Sequence, residues 1–244
     1  MIINPMNFSG NLIKGKLIKR YKRFLSDIEL ENGEIITAHC PNSGSMLGAK
    51  DEGSAVYVTN DESPTRKLKY TWQLIECSGY LTGINTHLAN SIVHEALLNK
   101  KIKELSKYET VKREVKADDK SRLDFALYLY DEVCFLEVKS VHLSRKKGLA
   151  EFPDAKTVRG QKHLDTLIEL KRSGIRSVMI YLIQRGDCNS FSFANDIDPE
   201  YAEKAKKAFD EGVEFFVYDC NVTTESISIN KKILIQNLFY SKLS

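Results

Sequence analysis

Residues 122–140, RLDFALYLYDEVCFLEVKS, contain two mostly apolar runs separated by a short polar break. Runs of this length, rich in branched and aromatic residues, favour β-strands, so we predict a hairpin with strands over 122–130 and 133–140. Glu137 and Lys139 place two charges in the second, otherwise apolar strand. Because a buried strand rarely accepts charges that are neither paired nor functional, this hairpin indicates a candidate site as well as a fold.

The expected register of the hairpin brings a third charge to the same place. A turn centred on Asp131-Glu132 sets Asp124 opposite Lys139 and Ala126 opposite Glu137. Opposite residues share a face of the sheet, so Asp124, Glu137 and Lys139 are expected to form one cluster. A slip of one residue would turn Asp124 to the other face and separate it from the other two.

Two carboxylates this close repel each other when both are ionised, unless a cation lies between them. Lys139 can neutralise one charge, and a divalent ion such as Mg²⁺ or Mn²⁺, held by Asp124 and Glu137, can neutralise more. Such an ion would polarise a phosphodiester and supply a hydroxide-like nucleophile, while Lys139 orients the water or stabilises charge on the phosphoryl oxygens. The other interpretation is a structural ion-pair cluster, and the spacing alone favours neither.

A helix predicted over 86–99, capped by Asn85 or Thr86, precedes the hairpin. Glu95 lies at the edge of the apolar face of this helix. From there its carboxylate either reaches the charged cluster as a further catalytic group or faces solvent as an ordinary surface glutamate.

A second predicted helix follows the hairpin, opening at Pro153-Asp154 and running to about residue 172. Gln161 shares the packing face of this helix, which puts its amide either near the charged cluster or in the core as a satisfied polar group. Arg159 and Lys162 lie off that face and are free to bind phosphate.

The first third of the chain has short apolar runs between glycine-containing turns. Asn32-Gly33 predicts a β-hairpin between the runs 24–30 and 35–38. Many short strands in so few residues suggest a small β-barrel, for which the OB-fold is a candidate, over residues 1–82. From residue 83 to residue 244 strands alternate with helices, which predicts an α/β domain with a mixed sheet and a linker near residues 80–86.

Positive charge is distributed over both halves of the chain, although the net charge of the 244 residues is only +3. A single basic cluster is common on a solvated surface, but three clusters favour a polyanionic partner such as DNA. The residues expected to bind it are Lys14, Lys16, Lys19, Arg20, Lys22, Arg23, Arg145, Lys146, Arg159 and Lys162.

Several classes of function are disfavoured by the composition. The five cysteines are scattered without Cys-x-x-Cys or Cys/His spacing, which argues against a disulfide framework or a zinc site and for a reducing cytoplasm. The chain has no glycine-rich phosphate loop for a nucleotide cofactor. We also expect no secretion signal and no membrane span, because no apolar run approaches the roughly 20 residues that cross a bilayer.

Short motifs along nearly the whole chain form a specific set, although none of them is specific alone. They are CPNSGSM at 40–46, GINT at 83–86 with Asn90 and Glu95-Ala96, SRLDF at 121–125, LEVKSV at 136–141, and FPDA at 152–155 with Thr157, Arg159-Gly160 and Lys162-His163-Leu164. In these motifs the chain resembles the sugar fermentation stimulation protein (SfsA) family.

The resemblance implies an N-terminal OB-like barrel and a C-terminal restriction-endonuclease-like domain similar to PD-(D/E)xK nucleases. The metal-binding acids and the lysine of those nucleases would fall on Asp124, Glu137 and Lys139, and their helix acid on Glu95. Leu123 stands where they usually have a proline. Members of the SfsA family are described as DNA-binding proteins connected with the regulation of sugar (maltose) metabolism.

Three functions remain open at this point, because a nuclease-like fold does not establish cleavage. The first is DNA binding, with little preference for base sequence. The second is hydrolysis of DNA that depends on Mg²⁺ or Mn²⁺. The third is interaction with a protein or a small molecule of sugar metabolism.

Overall fold

Residues 6–8, 10–118 and 121–236 are the part of the chain that the computed structural model describes. Its strands before residue 84 are β1 (Met6–Asn7), β2 (Ile13–Tyr21), β3 (Leu25–Leu30), β4 (Ile35–His39), β5 (Ala55–Asn60), β6 (Tyr70–Cys77) and β7 (Tyr80–Gly83). Strands β4, β3, β2, β5 and β6 are hydrogen-bonded in that order, and a parallel pairing of β4 with β6 closes them into a barrel. The prediction of an OB-like barrel is therefore confirmed.

The hairpin predicted at Asn32-Gly33 joins β3 to β4. The backbone N–H of Leu30 donates to the carbonyl of Glu34 at 2.9 Å, so the loop has three residues rather than two. Gly33 has a φ of 84°, a conformation that residues with a side chain rarely adopt. The fully buried side chains inside the barrel include Leu17, Ile28, Val56, Val58 and Trp72.

The second unit alternates strands with helices, as predicted. Its elements are α1 (Leu88–Leu98), a short 3-10 turn (Lys103–Leu105), β8 (Thr110–Lys116), β9 (Arg122–Leu129), β10 (Glu132–Val141), β11 (Leu143–Lys146), β12 (Leu149–Phe152), α2 (Val158–Arg172), β13 (Arg176–Ile183), β14 (Ser190–Phe193), α3 (Pro199–Asp210), β15 (Glu214–Val222), β16 (Ser226–Lys232) and β17 (Leu234–Ile235). The main sheet has the order β1-β16-β15-β13-β10-β9-β8, and a smaller sheet has the order β11-β12-β14-β17. Because β10, β13 and β15 are parallel while β9 and β16 run antiparallel to their neighbours, the sheet is mixed.

The main sheet lies between α1 on one face and α2 with α3 on the other. Strand β13 is buried on both faces and is accordingly apolar almost throughout, with Ile180 packing on the α1 side and Tyr181 on the α2 side. On the neighbouring strand β10, Leu136 and Val138 pack on the α1 side. Because side chains alternate along a strand, Glu137 between them points to the α2 side.

The β9–β10 hairpin differs from the prediction by two residues in register. Glu132 pairs with Leu129 and Phe135 pairs with Ala126, so the turn lies at Tyr130-Asp131 instead of Asp131-Glu132. Tyr130 has a positive φ of 49°, which fits a tight hairpin turn. Tyrosine is not a residue that predicts such a turn. A shift of two residues preserves the faces, so the predicted grouping of charges survives this error.

Both helices that flank the hairpin begin later than predicted. The N-cap of α1 is His87, and Asn85 instead accepts the backbone N–H of His87 at 3.1 Å through its side chain. The N-cap of α2 is Thr157, whose hydroxyl accepts the N–H of Gly160 at 3.1 Å. Pro153-Asp154 therefore precedes the helix instead of opening it, which leaves the Asp154 carboxylate free for other contacts.

The N-terminal strand β1 pairs with β16 of the main sheet and lies outside the barrel. The boundary at residues 82 and 83 stays a prediction; the barrel sheet itself ends at Gly83. Across the described residues, each helix is too short or too polar to cross a membrane.

Candidate functional site

Strands β9 and β10 separate at the site, and two carboxylates bridge the gap. The regular pairing ends where Leu136 faces Phe125. One step further, the backbone N–H of Val138 donates to Oδ2 of Asp124 at 2.8 Å, and the backbone N–H of Asp124 donates to Oε2 of Glu137 at 3.3 Å. Carboxylate oxygens of Asp124 and Glu137 therefore take the place of backbone carbonyls in the hydrogen bonding between β9 and β10. The two carboxylates lie close together as a result.

The first turn of α1 holds Asp124 from another side. The amide of Asn90 donates to Oδ1 of Asp124 at 2.7 Å. Both oxygens of Asp124 thus have a donor, so the orientation of this carboxylate is set by the protein alone.

Two basic side chains meet Glu137 on the α2 side of the sheet. Nζ of Lys139 donates to Oε1 of Glu137 at 2.7 Å, and Nδ1 of His163 contacts the same oxygen. Only 3% of the Glu137 side chain and 13% of the Lys139 side chain are exposed. A buried ion pair requires such complete bonding, because desolvation of an unpaired charge is costly.

Each nitrogen of the His163 ring has a neighbour. Nε of Arg159 donates to Nε2 of His163 at 3.4 Å. In the tautomer with its hydrogen on Nδ1, the ring accepts from Arg159 and donates to Glu137. Nδ1 and Nζ of Lys139, 3.1 Å apart, are then two donors that share one carboxylate oxygen.

The two carboxylates differ in their tendency to ionise. Burial raises the pKa of Asp124 to about 6, and the negative charge of Glu137 contributes to this rise. Burial also acts to raise the pKa of Glu137, but the charge of Lys139 and the hydrogen bond from His163 outweigh it and hold that pKa below its usual value. A cation placed between the carboxylates would relieve their repulsion and lower the pKa of Asp124.

The site opens into a cavity of about 700 Å³ between the barrel and the second unit. Basic and acidic side chains share its wall, and the acidic ones are Glu114, Asp124, Glu137 and Asp154. The basic residues that line it are Arg23 of the barrel and His87, Arg113, Lys139, His142, Lys156, Arg159 and His163 of the second unit.

The barrel loop at 41–46 is fastened to the second unit by Asp154. The backbone N–H of Met46 donates to Oδ2 of Asp154 at 3.0 Å, and Nε2 of His142 lies 3.3 Å from the same oxygen. Burial acts to raise the pKa of Asp154, but the hydrogen bond and charge of His142 outweigh it and hold this pKa below its usual value. A Cβ on Gly44 would lie 2.4 Å from Oδ2 of Asp154, so the contact depends on glycine.

The donor set at Asp124 and Glu137 fits a hard divalent cation. Within the described ranges, no three His, Cys, Asp or Glu side chains gather as a ready-made metal cage. Mg²⁺ does not need such a cage, because it prefers oxygen ligands and keeps several waters, for which the cavity has room. Nitrogen and sulfur ligands of the kind zinc prefers are not the donors of this pair.

Two residues predicted to belong to the site face elsewhere. Glu95 lies at the far end of α1, where Lys101 and Asn99 donate to its Oε1 at 2.8 and 2.6 Å. The amide of Gln161 donates to the carboxylate of Asp198, the N-cap of α3, at 3.1 Å. Neither Glu95 nor Gln161 lines the cavity.

Three of the predicted nucleic-acid contacts are engaged within the protein. The guanidinium of Arg20 donates to the carbonyls of residues 23, 42 and 44 at 2.8–3.0 Å. Arg145 forms ion pairs with Glu151 and Asp196, and Lys19 lies 3.5 Å from Asp27. The side chains of Arg20 and Arg145 are thus committed to contacts within the protein, while that of Lys19 stays 56% exposed beside Asp27.

The other predicted cations are exposed, and two of them line the cavity. Those two are Arg23 and Arg159. Lys14 and Lys16 instead lie on β2 beside Glu29 and Glu31, which reduces their positive field. These other predicted cations are Lys14, Lys16, Lys22, Arg23, Lys146, Arg159 and Lys162.

Sequence reasoning missed two residues that contact the carboxylates, Asn90 and His163. Both occur in the motifs quoted above, so the sequence did contain a signal. Their roles depend on where α1 and α2 cross the sheet. A helical pattern does not specify that crossing.

Two family models together match most of the chain. One is described as the SfsA N-terminal OB domain and matches residues 18–84, and the other as the sugar fermentation stimulation protein RE domain and matches residues 87–226. The chain is similar to the sugar fermentation stimulation protein homolog of Pelagibacter ubique, with 47% identity over 95% of this chain and 100% of that protein. It is similar to the homolog of Caulobacter vibrioides, with 47% identity over 91% of this chain and 94% of that protein.

A solved structure has the same fold over nearly the full length. It is described as Pyrococcus furiosus SfsA in complex with Ca²⁺. The two chains share 26% identity with a TM-score of 0.85, and the match covers 96% of this chain and 99% of the other.

Proposed function

The chain belongs to the sugar fermentation stimulation protein family, and on that premise we propose that it binds DNA and hydrolyses phosphodiester bonds with a divalent cation held by Asp124 and Glu137. One observation carries the proposal: two carboxylates replace the ladder between β9 and β10 inside a cavity lined by cations. A relative that binds Ca²⁺ supports the choice of a hard, oxygen-seeking ion. Mg²⁺ or Mn²⁺ is the cation we propose for hydrolysis.

The protein groups have separate roles in this proposal. When bound, the ion would polarise a phosphoryl oxygen and lower the pKa of a bound water. Asn90 and the backbone of Val138 hold the Asp124 carboxylate, and His163 holds that of Glu137. The ammonium of Lys139 would stabilise negative charge on the reacting phosphate from its position beside Glu137.

The exposed cations at the cavity would hold the nucleic-acid backbone. Arg23 and Arg159 line the cavity, and Lys162 follows on α2. Because such contacts release counterions, affinity for DNA should fall steeply as salt concentration rises. Contacts of this kind read no bases, so we propose low sequence specificity.

DNA binding without cleavage is the second candidate. The hydrogen bonding of Glu137 favours this candidate, because Lys139 and His163 already contact its Oε1. If these two side chains keep that oxygen, the pair neutralises the site without a metal ion. A role in the regulation of sugar metabolism would then follow from binding alone.

Cleavage assays with matched variants distinguish the candidates. Supercoiled, linear and single-stranded DNA would be incubated with Mg²⁺, Mn²⁺ or no metal. The variants are Asp124→Ala and, as control, Asp210→Ala, which removes an exposed carboxylate of α3. We expect metal-dependent cleavage by the wild type and the control, and a loss of at least about a hundredfold in Asp124→Ala.

Two other outcomes would change the assignment. Equal cleavage by wild type and Asp124→Ala would mean a contaminating nuclease and would overturn hydrolysis at this site. Binding that weakens with salt, with no cleavage under any metal, would leave DNA binding as the function. The absence of binding at 50 mM salt would refute both candidates.

A further inference from the structure

A second cavity, of about 390 Å³, lies beside the carboxylate site. Arg159 and His163 line both cavities, so the two are contiguous. We call the second one the basic pocket, because four of the seven residues that line it are cations. Its lining residues are Lys116, Asp118, Ser121, Arg122, Arg159, Lys162 and His163.

The lining of the basic pocket sets four cations against one carboxylate, that of Asp118. None of Lys116, Arg122, Arg159 and Lys162 forms an ion pair with another residue of the described ranges. Elsewhere on the surface Arg145, Arg172 and Arg176 each have a carboxylate partner, whereas Arg23 and Arg113 of the neighbouring cavity, like the cations of the basic pocket, form no ion pair within the described ranges.

The backbone brings these like charges together at a cost to stability. Lys116 and Arg122 are direct partners across β8 and β9, where like charges destabilise a sheet. Arg159 and Lys162 are three residues apart on α2, a spacing at which like charges also repel. Two repelling pairs that face one cavity would be relieved by an anion placed between them.

We propose that the basic pocket binds a second phosphate group of the same DNA strand whose scissile phosphodiester lies at Asp124 and Glu137. This inference rests on the proposed function, since it assigns a subsite to that cavity. Guanidinium groups such as Arg122 and Arg159 bind phosphate oxygens in pairs, and lysines add charge. A terminal phosphate carries nearly two negative charges at neutral pH, whereas an internal phosphodiester carries one, so four cations favour a strand end.

Binding to end-labelled oligonucleotides without divalent metal tests the pocket separately from cleavage. The probes are single-stranded and duplex DNA of one sequence with a 5′-phosphate, a 3′-phosphate or neither. The pocket variant is Lys116→Gln with Arg122→Gln. The control is Lys103→Gln with Lys207→Gln, which removes the same charge from exposed positions that line neither cavity.

We expect the wild type and the control to bind one phosphorylated end about tenfold more tightly than the unphosphorylated strand, and the pocket variant to lose this preference. The affinity of the pocket variant could instead fall by the same factor for every probe, and by more than the affinity of the control. The bound group would then be an internal phosphodiester, and the proposal would stand for that source. If pocket variant and control bind every probe alike, the proposal is overturned.

Measurements of thermal unfolding and of DNA cleavage distinguish a failure of this inference from a failure of the proposed function. Because the substitutions remove a repelling pair, the pocket variant should unfold at the same temperature as the wild type or higher, so lost binding would not reflect misfolding. A pocket-dependent preference without any metal-dependent cleavage would support the subsite and refute hydrolysis. Metal-dependent cleavage with no effect of the pocket variant on binding would refute the subsite alone.

Discussion

Val138 donates its backbone N–H to Oδ2 of Asp124 at 2.8 Å, and this bond ties the first acid of the site to the strand that carries Glu137 and Lys139. The two acids are therefore held together by the backbone before any cation arrives. Such preorganisation holds two like charges close together where both side chains are largely buried. The consequences can be measured in the protein without metal.

Replacement of Asp124 by Asn should stabilise the metal-free protein above about pH 6. The folded-state pKa of Asp124 is raised to about 6. A carboxyl group with a raised pKa favours folding below its unfolded-state pKa, and this contribution is lost as pH rises through the folded-state value. The stability of Asp124→Asn relative to the wild type should therefore rise by about 2 kcal/mol between pH 4 and pH 7–8, from a value slightly below zero at pH 4, because the Asn side chain cannot accept the hydrogen bonds of both Asn90 and Val138. Urea unfolding across this range measures it.

Metal should reverse the sign of that difference. A cation that binds the folded wild type stabilises it in proportion to the logarithm of its concentration, and the variant lacks one of the two ligands. At pH 8 with millimolar Mn²⁺, we expect the wild type to melt above Asp124→Asn. A variant that stays the more stable in metal would contradict the assignment of Asp124 as a ligand.

Replacement of Lys139 by Gln should separate metal binding from hydrolysis. Lys139 contacts Glu137 and stands where it can stabilise charge on the phosphate, but it is not a ligand of the cation. Loss of one such group typically lowers kcat by about 100- to 1,000-fold. Affinity for Mn²⁺ should stay the same or increase, because a competing positive charge has gone. Calorimetric titration and single-turnover cleavage measure the two quantities, and a parallel loss of both would contradict this role.

The grouping of Asp124, Glu137 and Lys139 was predictable because face alternation is insensitive to an error of two residues. The hairpin turn lies at Tyr130-Asp131, one position earlier than expected. Tyrosine is an unusual residue for a positive φ, so its identity did not mark the turn. The error changed the partners across the ladder without changing the cluster.

The helical members of the site were not predictable from periodicity. Gln161 and His163 are two residues apart on α2, and which of them meets the sheet at Glu137 depends on the crossing of helix and strand. In the structure His163 contacts Glu137, while Gln161 binds Asp198. For α1, the first turn reaches the site through Asn90, and Glu95 lies too far along the helix.

Substitution of Arg159 by Gln should affect DNA binding, whereas substitution of Arg145 by Gln should affect stability. Arg159 lines both cavities, so Arg159→Gln should weaken DNA binding several-fold and reduce its salt dependence, with little change in stability. Arg145 instead pairs with Glu151, whose side chain is 8% exposed, and Arg145→Gln leaves that carboxylate with only the backbone N–H of residue 145 as a donor. We expect a loss of about 1–3 kcal/mol in stability and unchanged affinity. Fluorescence anisotropy and urea unfolding provide the comparison, and weaker DNA binding by Arg145→Gln would contradict it.

Gly44→Ala should loosen the contact between the barrel loop and the second unit. The new Cβ would lie 2.4 Å from Oδ2 of Asp154, so this carboxylate must move and give up its bond to the backbone of Met46. Crowding of this kind costs about 1–3 kcal/mol. Gly186→Ala is the matched control, since its Cβ would approach no atom closer than 3.4 Å.

Because Asp154 and Gly44 both line the cavity, we expect Gly44→Ala to lower DNA affinity as well as the midpoint of urea unfolding, and the control to change neither. Equal unfolding midpoints for the two variants would mean that the loop adapts to the added methyl group and that Asp154 does not fasten it.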